Sequence, residues 1–191
     1  MTKVKMITYP NASLVEDYKS ILNQCVLEIV TPEDLMAYGS DPNMPHIIGI
    51  TRETQLRDQI SHWLDQHDCN RLTFIHPTST VEQGAYIGPG SFVAPYCHIG
   101  SGVVIGNDVM IGPYCMISHR ARIGRSSILH PGVMVAGNAR VGARCKLNIR
   151  STILDYRTLE DDVELAACST ATKDLSVGNW AGSPARKINN G

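Results

Sequence analysis

A six-residue repeat constrains this chain more than any other feature of its sequence. Between Ile75 and Ser176 the unit occurs seventeen times without interruption, and its first position is Ile, Val or Leu until the last unit, where it is Ala171. Such a period is typical of a solenoid, and six residues is the period of a β-helix with three faces. The aliphatic first position and the small fifth position lie two residues apart across each unit boundary, so both point inward. The sequence therefore predicts a parallel, all-β β-helix of between five and six coils.

Prolines spaced by eighteen residues indicate that three units form one coil. We expect them to stack on one corner of the prism, where a fixed φ suits a turn: Pro77, Pro95, Pro113 and Pro131. The residue after the aliphatic position is often glycine, which predicts either a positive φ or a close backbone approach there. These glycines are Gly88, Gly100, Gly106, Gly112, Gly124 and Gly142.

Residues 1–74 have a different pattern, in which short apolar strands alternate with helices. The strands are predicted at Val4–Thr8, Val26–Val30, His46–Ile50 and, as a possible fourth, Arg71–Ile75. Two helices are predicted from the apolar faces Leu14, Tyr18, Ile21, Leu22 and Leu56, Ile60, Trp63, Leu64. A third, short helix is expected after Thr31, with Pro32 in its first turn. This alternation predicts a small parallel α/β domain that binds an acceptor or is structural.

The first strand-to-helix turn of such a domain is where a nucleotide phosphate would bind. Here the turn is Tyr9–Ser13, which contains no glycine, and Ser13 with Glu16 fits a capping box instead. The sequence thus argues mildly against a conventional phosphate site. Asn11 and Ser13 remain the candidate acceptor-binding residues of this turn.

Composition limits the function classes. A formal net charge of −1 gives no electrostatic reason to expect nucleic acid or an anionic membrane as the partner. No apolar run is long enough for a membrane span, and Met1–Tyr9 lacks the apolar core of a signal peptide. The cysteines show no paired spacing, so we expect neither disulfides nor a zinc site and a cytoplasmic location. Cys97, Cys115 and Cys145 occupy inward positions, where cysteine behaves as a small hydrophobe.

His119 and Gly137 are the strongest candidates for chemistry. They occupy the same corner position eighteen residues apart, and successive coils are roughly 4.8 Å apart, so the imidazole should lie beside the Gly137 backbone. A base next to an uncovered peptide N–H is the arrangement that acyl transfer needs. The other histidines of this region, His76, His98 and His130, show no such partner.

Charge is also unevenly distributed. The stretch from Val109 to Leu154 contains no acid and seven basic side chains: Arg120, Arg122, Arg125, Arg140, Arg144, Lys146 and Arg150. One interpretation is a polyanionic ligand such as coenzyme A. The other is a solvated basic face, paired with acids of a neighbouring subunit such as Asp155, Glu160, Asp161 and Asp162. A less favoured hypothesis is a metal-dependent, carbonic-anhydrase-like hydratase, which needs three convergent imidazoles.

Three segments carry a resemblance to a known family. They are residues 117–124 (ISHRARIG), residues 129–137 (LHPGVMVAG) and residues 182–186 (GSPAR). In these the chain resembles the hexapeptide-repeat acyltransferases, and among them the bacterial sugar acetyltransferases that include sialic acid O-acetyltransferases and nucleotide amino-sugar N-acetyltransferases. The resemblance implies a Rossmann-like N-terminal domain (1–74), a left-handed β-helix (75–176), a C-terminal coil near the coenzyme (177–191), and a homotrimer that uses acetyl-CoA and no metal.

The same resemblance implies roles for individual residues. His119 would be the catalytic base, and Gly137 with Ala136 would bind the acyl group. Coenzyme contacts would come from a larger set: Arg140, Arg144, Lys146, Arg150, Pro184, Ala185 and Arg186. The acceptor would be an amino or hydroxyl group of a sugar or nucleotide-linked sugar in polysaccharide biosynthesis. The alternative is a non-catalytic relative that keeps the scaffold, because Ser118 and Arg120 stand where related enzymes have acids beside the histidine.

Overall fold

The computed structural model describes residues 2–8 and 25–188. The turn Tyr9–Ser13, the helix predicted from Leu14 to Leu22, and the candidate residues Asn11 and Ser13 lie outside these residues. Within the described residues, the N-terminal region contains a parallel three-stranded sheet in the order β2-β1-β3, and two helices. Its elements are β1 (Thr2–Ile7), β2 (Cys25–Val30), α1 (Pro32–Tyr38), β3 (His46–Ile48) and α2 (Thr54–Gln66).

Local sequence signals explain both helices. Thr31 caps α1, since its hydroxyl accepts a hydrogen bond from Asp34 N–H at 3.1 Å, and Pro32 lies in the first turn as predicted. In α2 the predicted apolar face is buried at Ile60 and Leu64. The small parallel α/β arrangement is therefore present, while a larger Rossmann-like sheet stays a prediction.

The predicted fourth strand does not join this sheet. Only Arg71 forms an isolated parallel bridge, to His46, while Phe74 and Ile75 pair with the solenoid strand that begins at Phe92. The apolar run Arg71–Ile75 therefore connects the two parts of the chain. Periodicity alone could not assign it, because a short apolar run fits either sheet.

The solenoid has three parallel sheets, one for each face of a triangular prism. The first face contains β4 (Phe74–Ile75), β7 (Phe92–Val93), β10 (Met110–Ile111), β13 (Ile128–Leu129), β16 (Lys146–Leu147) and β19 (Val163–Leu165). The second contains β5 (Thr80–Val81), β8 (His98–Ile99), β11 (Met116–Ile117), β14 (Met134–Val135), β17 (Thr152–Ile153) and β20 (Thr170–Ala171). The third contains β6 (Tyr86–Ile87), β9 (Val104–Ile105), β12 (Arg122–Ile123), β15 (Arg140–Val141) and β18 (Thr158–Leu159).

The strand register confirms three units per coil. Met116 pairs with Met134 and Met134 with Thr152, each eighteen residues later. First- and fifth-position side chains such as Ile117 and Cys115 are buried in one continuous core. The first coil differs, since Ile75 and Val81 are exposed because no coil lies beneath them.

The glycines that follow the aliphatic position are required by close approach, one of the two predicted reasons. A Cβ on Gly124 would lie 2.4 Å from the backbone carbon of Gly142 in the next coil. The positive φ angles instead fall at the corners, for example at Asn138 with φ 59°. The chain therefore turns at the fourth residue of the repeat unit, which is Asn138 in the unit that begins at Val135.

The C-terminal segment, predicted as coil, contains an antiparallel hairpin. Its strands are β21 (Gly178–Ala181), which pairs with β19, and β22 (Arg186–Ile188). Trp180 is 6% exposed and packs against the solenoid core, so the hairpin closes the C-terminal end of the prism.

Helix α2 packs against one corner of the prism, which we call the docking corner (Asp108, Ser126, Arg144 and Asp162). Arg57 is fully buried there, and its guanidinium donates to the Asp108 backbone carbonyl at 2.6 Å. Ser126 donates to Asp58 at 2.7 Å, and Gln55 donates to Asp162. The N-terminal region is thus fixed to a corner other than the one that carries His119.

Candidate active site

His119 and Gly137 lie together at a second corner, the histidine corner (119–120, 137–138 and 155–156). The Asn138 N–H donates to the His119 carbonyl at 3.0 Å, and the Tyr156 N–H donates to the Gly137 carbonyl at 3.1 Å. These bonds stack three coils at one edge. The predicted juxtaposition of the histidine and the glycine is therefore present in the structure.

The imidazole lies directly over Gly137. A Cβ built on this glycine would be 2.6 Å from both Cε1 and Nε2 of His119, well inside ordinary contact distance. Only glycine therefore allows the imidazole its position. The Gly137 N–H donates no hydrogen bond to the residues that the structure describes, whereas the Ala136 N–H donates to Ile153 at 2.9 Å. The Gly137 N–H therefore lies beside the His119 imidazole. The imidazole can act as a base, and the N–H can donate a hydrogen bond to an anion.

A carboxylate that the sequence analysis did not assign to the site completes this corner. Asp155 Oδ1 lies 3.2 Å from the same point, where a Gly137 side chain would begin. Its spacing could have revealed it, because Asp155 follows Gly137 by eighteen residues and is the first acid after Leu154. Ser118 and Arg120 leave no carboxylate beside His119 in sequence, yet the coil places that of Asp155 near it in space.

Three of the seven basic residues are neutralised within the chain. Arg144 pairs with Asp162 at 2.8 Å and with Asp161 at 3.2 Å, and its hydrogen bond lowers the pKa of the Asp162 carboxyl. Arg125 pairs with Asp58 and Asp65 of α2, and Lys146 pairs with Glu164 at 3.1 Å. The acids that the sequence analysis assigned to a neighbouring subunit are thus partly satisfied by Arg144 of their own chain.

The remaining predicted coenzyme residues are dispersed. Arg140 is exposed and lies directly opposite Arg122, with no carboxylate partner for either among the described residues. Both arginines lie on the third face of the prism, which follows the histidine corner along the chain. This face contains an open depression of about 660 Å³ that both side chains line. Arg150 lies at the corner of the stacked prolines, with its Cγ 3.2 Å from the Cβ position of Gly132. The structure therefore brings Arg122 and Arg140 together but separates them from Arg144, Lys146 and Arg150.

The closing motif lies at the C-terminal end of the prism. Ala185 is buried and its N–H donates to Thr170 at 2.8 Å, while Pro184 and Arg186 are exposed. Ala185 therefore anchors the segment, and its two neighbours face solvent.

The inward cysteines are core residues, as predicted. Burial raises the pKa of the Cys145 thiol to about 12, and the hydrogen bond with Cys97 together with burial raises the pKa of Cys115. Buried thiols of this kind are poor nucleophiles. Among residues 2–8 and 25–188, no three His, Cys, Asp or Glu side chains are grouped to hold a metal ion. His130 lies on another edge of the prism than His119, in line with Gly112.

No helix within the described ranges is both long and apolar enough to cross a membrane.

Comparison with known proteins supports the fold. Residues 102–137 match the family model described as bacterial transferase hexapeptide (six repeats). No curated protein sequence matches the chain. Several solved structures are similar over nearly the whole chain. The acetyltransferase domain of PglB from Neisseria gonorrhoeae FA1090 has 18% identity and a TM-score of 0.86, covering 98% of this chain and 100% of that one.

PerB from Caulobacter crescentus, in complex with CoA and GDP-perosamine, has 20% identity and a TM-score of 0.82, covering 99% of this chain and 98% of that one. A structure of the PglB domain in complex with acetyl coenzyme A is also similar. It has 19% identity and a TM-score of 0.83, covering 97% of this chain and 98% of that one. At these identities the likeness concerns the fold. The chain thus carries the bacterial transferase hexapeptide repeat at residues 102–137, within a β-solenoid fold shared over its length with the PglB acetyltransferase domain and PerB.

Proposed function

We propose that this protein is an acyltransferase that moves an acetyl group from acetyl-CoA to an amino or hydroxyl group of a sugar or nucleotide-linked sugar. The observation that carries the proposal is the His119 imidazole lying over Gly137, whose peptide N–H has no partner among the described residues. The relatives with the same fold support it, because they are acetyltransferases solved with acetyl-CoA or with CoA and a nucleotide sugar.

His119 acts as the general base in this proposal. Its Nε2 removes the proton from the acceptor as the acceptor attacks the acyl carbon, and the Gly137 N–H donates to the developing negative charge on the acyl oxygen. Transfer is direct, with no acyl-enzyme, because Cys97, Cys115 and Cys145 are buried in the core. The exposed Cys168 stacks on Ile149 at the corner of the prolines and not at the histidine corner. The exposed imidazole can meet an acceptor that arrives from solvent.

Arg140 is the predicted coenzyme contact that the geometry favours most. It stands beside Arg122 on the face that leaves the histidine corner, and like charges placed directly opposite are unfavourable unless an anion lies between them. Arg150, Pro184 and Arg186 remain candidates on exposed edges. Arg144 and Lys146 are ion-paired, which weakens their assignment to coenzyme phosphates.

A homotrimer is part of the proposal. His119 lies on an exposed corner, and α2 of the same chain covers a different corner, so a second copy would supply the wall of the site. Sedimentation equilibrium tests this, with an expected mass of three times 20.9 kDa. A cytoplasmic location, a left-handed coil and a role in polysaccharide biosynthesis belong to the same proposal.

Two measurements test the function. Calorimetry with acetyl-CoA should show binding, and mass spectrometry should show acetylation of at least one member of a panel of amino sugars and nucleotide amino sugars. His119→Ala should lower turnover by roughly 10²–10⁴-fold, the usual worth of a positioned base. No binding at millimolar acetyl-CoA would instead favour a non-catalytic scaffold.

A further inference from the structure

Asp155 is an acid without a partner on an otherwise basic flank. It is exposed, and it follows a stretch from Val109 to Leu154 that contains seven basic residues and no acid. Its carboxylate nevertheless forms no ion pair or hydrogen bond with the residues that the structure describes. Arg157 donates to the Asp155 backbone carbonyl at 3.3 Å and pairs with Asp174 at 3.8 Å. The carboxylate is therefore free to bind a ligand.

The Asp155 carboxylate and the reacting edge of His119 converge on one point. The Cβ position of Gly137 lies 2.6 Å from His119 Nε2 and 3.2 Å from Asp155 Oδ1, so these two atoms are no more than about 6 Å apart. They do not approach within 4.0 Å, since no ion pair joins them. One tetrahedral atom with two hydrogen bonds of about 2.9 Å spans roughly 4.7 Å. A single donor atom therefore fits between them.

Both groups accept hydrogen bonds at this point. A neutral imidazole that acts as a base presents a lone pair at Nε2, and an ionised carboxylate has acceptors only. Satisfying both from one attacking atom requires two hydrogens on that atom. A primary amine has two N–H bonds, whereas a hydroxyl has a single O–H and can satisfy only one of the two acceptors.

We propose that Asp155 is a specificity-determining residue that selects a primary amine over a hydroxyl as the acyl acceptor. The inference rests on the proposed function and names its substrate class. One N–H of the amine donates to Asp155. The nitrogen forms a bond to the acyl carbon while the carbon–sulfur bond breaks, the second N–H proton passes to His119 Nε2, and the coenzyme leaves as the thiolate. The positive charge that develops on the nitrogen faces the carboxylate, which stabilises it.

The test compares Asp155→Asn with the wild-type chain on matched acceptors. These are a nucleotide-linked amino sugar that the protein acetylates and the nucleotide sugar with a hydroxyl at the same carbon. We expect the variant to lose about 10- to 100-fold in kcat/KM for the amine, the worth of a charge-assisted hydrogen bond, and to keep nearly its full kcat/KM for the hydroxyl. The amine-to-hydroxyl ratio should fall at least about tenfold.

Two controls make the result specific. Glu28→Gln removes an exposed charge on β2 and should leave the ratio unchanged. The dissociation constant of CoA, measured by calorimetry for Asp155→Asn, should stay within about twofold of wild type, which shows an intact fold and coenzyme site.

An unchanged ratio in Asp155→Asn overturns the inference, as does a wild-type protein that acetylates hydroxyls and no amine of the panel. Either result leaves the acyltransferase proposal standing if His119→Ala abolishes transfer. Failure of the wild-type chain to bind acetyl-CoA overturns the proposed function itself, and with it the role of Asp155.

Discussion

Gly137→Ala is the substitution that examines the site geometry most closely. The added methyl group would lie 2.6 Å from Cε1 and Nε2 of His119, and ordinary contacts begin near 3.4 Å, so the imidazole must move by roughly 1 Å. A misplacement of this size costs about 10²-fold in rate. Gly137 does not have a positive φ, so alanine fits its backbone and the fold should persist. We therefore expect kcat/KM to fall about 100-fold with little change in thermal stability.

A double-mutant cycle shows whether the imidazole transmits this loss. The rates of CoA release and acetylated product are measured by chromatography for the wild type, Gly137→Ala, His119→Ala and the double variant. If the methyl group acts by displacing the imidazole, it should cost almost nothing once His119 is alanine. An equal loss in both backgrounds would refute the reasoning, because the methyl group would then act without the imidazole.

Three further predictions concern the rest of the molecule. Asp108→Ala removes a fully buried carboxylate that pairs with Arg71 at 3.4 Å and accepts a hydrogen bond from Ser61, and it should cost roughly 3–5 kcal/mol in urea unfolding. Asp161→Ala removes an exposed partner of Arg144 and should cost less than about 1 kcal/mol. Burial lowers the pKa of His46 below 6.5, so at acidic pH the unfolded chain binds more protons than the folded one. The free energy of unfolding should therefore decline as the pH falls below 6.5, and His46→Gln should remove part of this decline. Arg140→Gln should weaken CoA binding by about tenfold in calorimetry, with a smaller effect at high salt.

The solenoid could be predicted from the sequence because its period is strict. Each inward side chain repeats every six residues, and Pro77 to Pro131 mark every third unit, so coil size and the neighbours of His119 follow from counting. Gly137 could be placed beside His119 for this reason. The same counting reaches Asp155, which follows Gly137 by eighteen residues, whereas the sequence neighbours Ser118 and Arg120 indicate no acid near His119.

The ion-pair partners of the basic residues could not be predicted from the repeat. Arg125 is neutralised by Asp58 and Asp65, which belong to α2, and no periodicity predicts which corner that helix covers. Phe74 and Ile75 likewise joined the solenoid because an apolar pair can add to either sheet. Both outcomes depend on tertiary packing between parts of the chain that are distant in sequence.

A crystal structure of the protein soaked with acetyl-CoA tests the central claim most directly. The account predicts the thioester carbonyl oxygen about 3 Å from the Gly137 nitrogen, with the acyl carbon facing His119 Nε2. A thioester bound at the proline or docking corner, with the Gly137 N–H left without a partner, would contradict it.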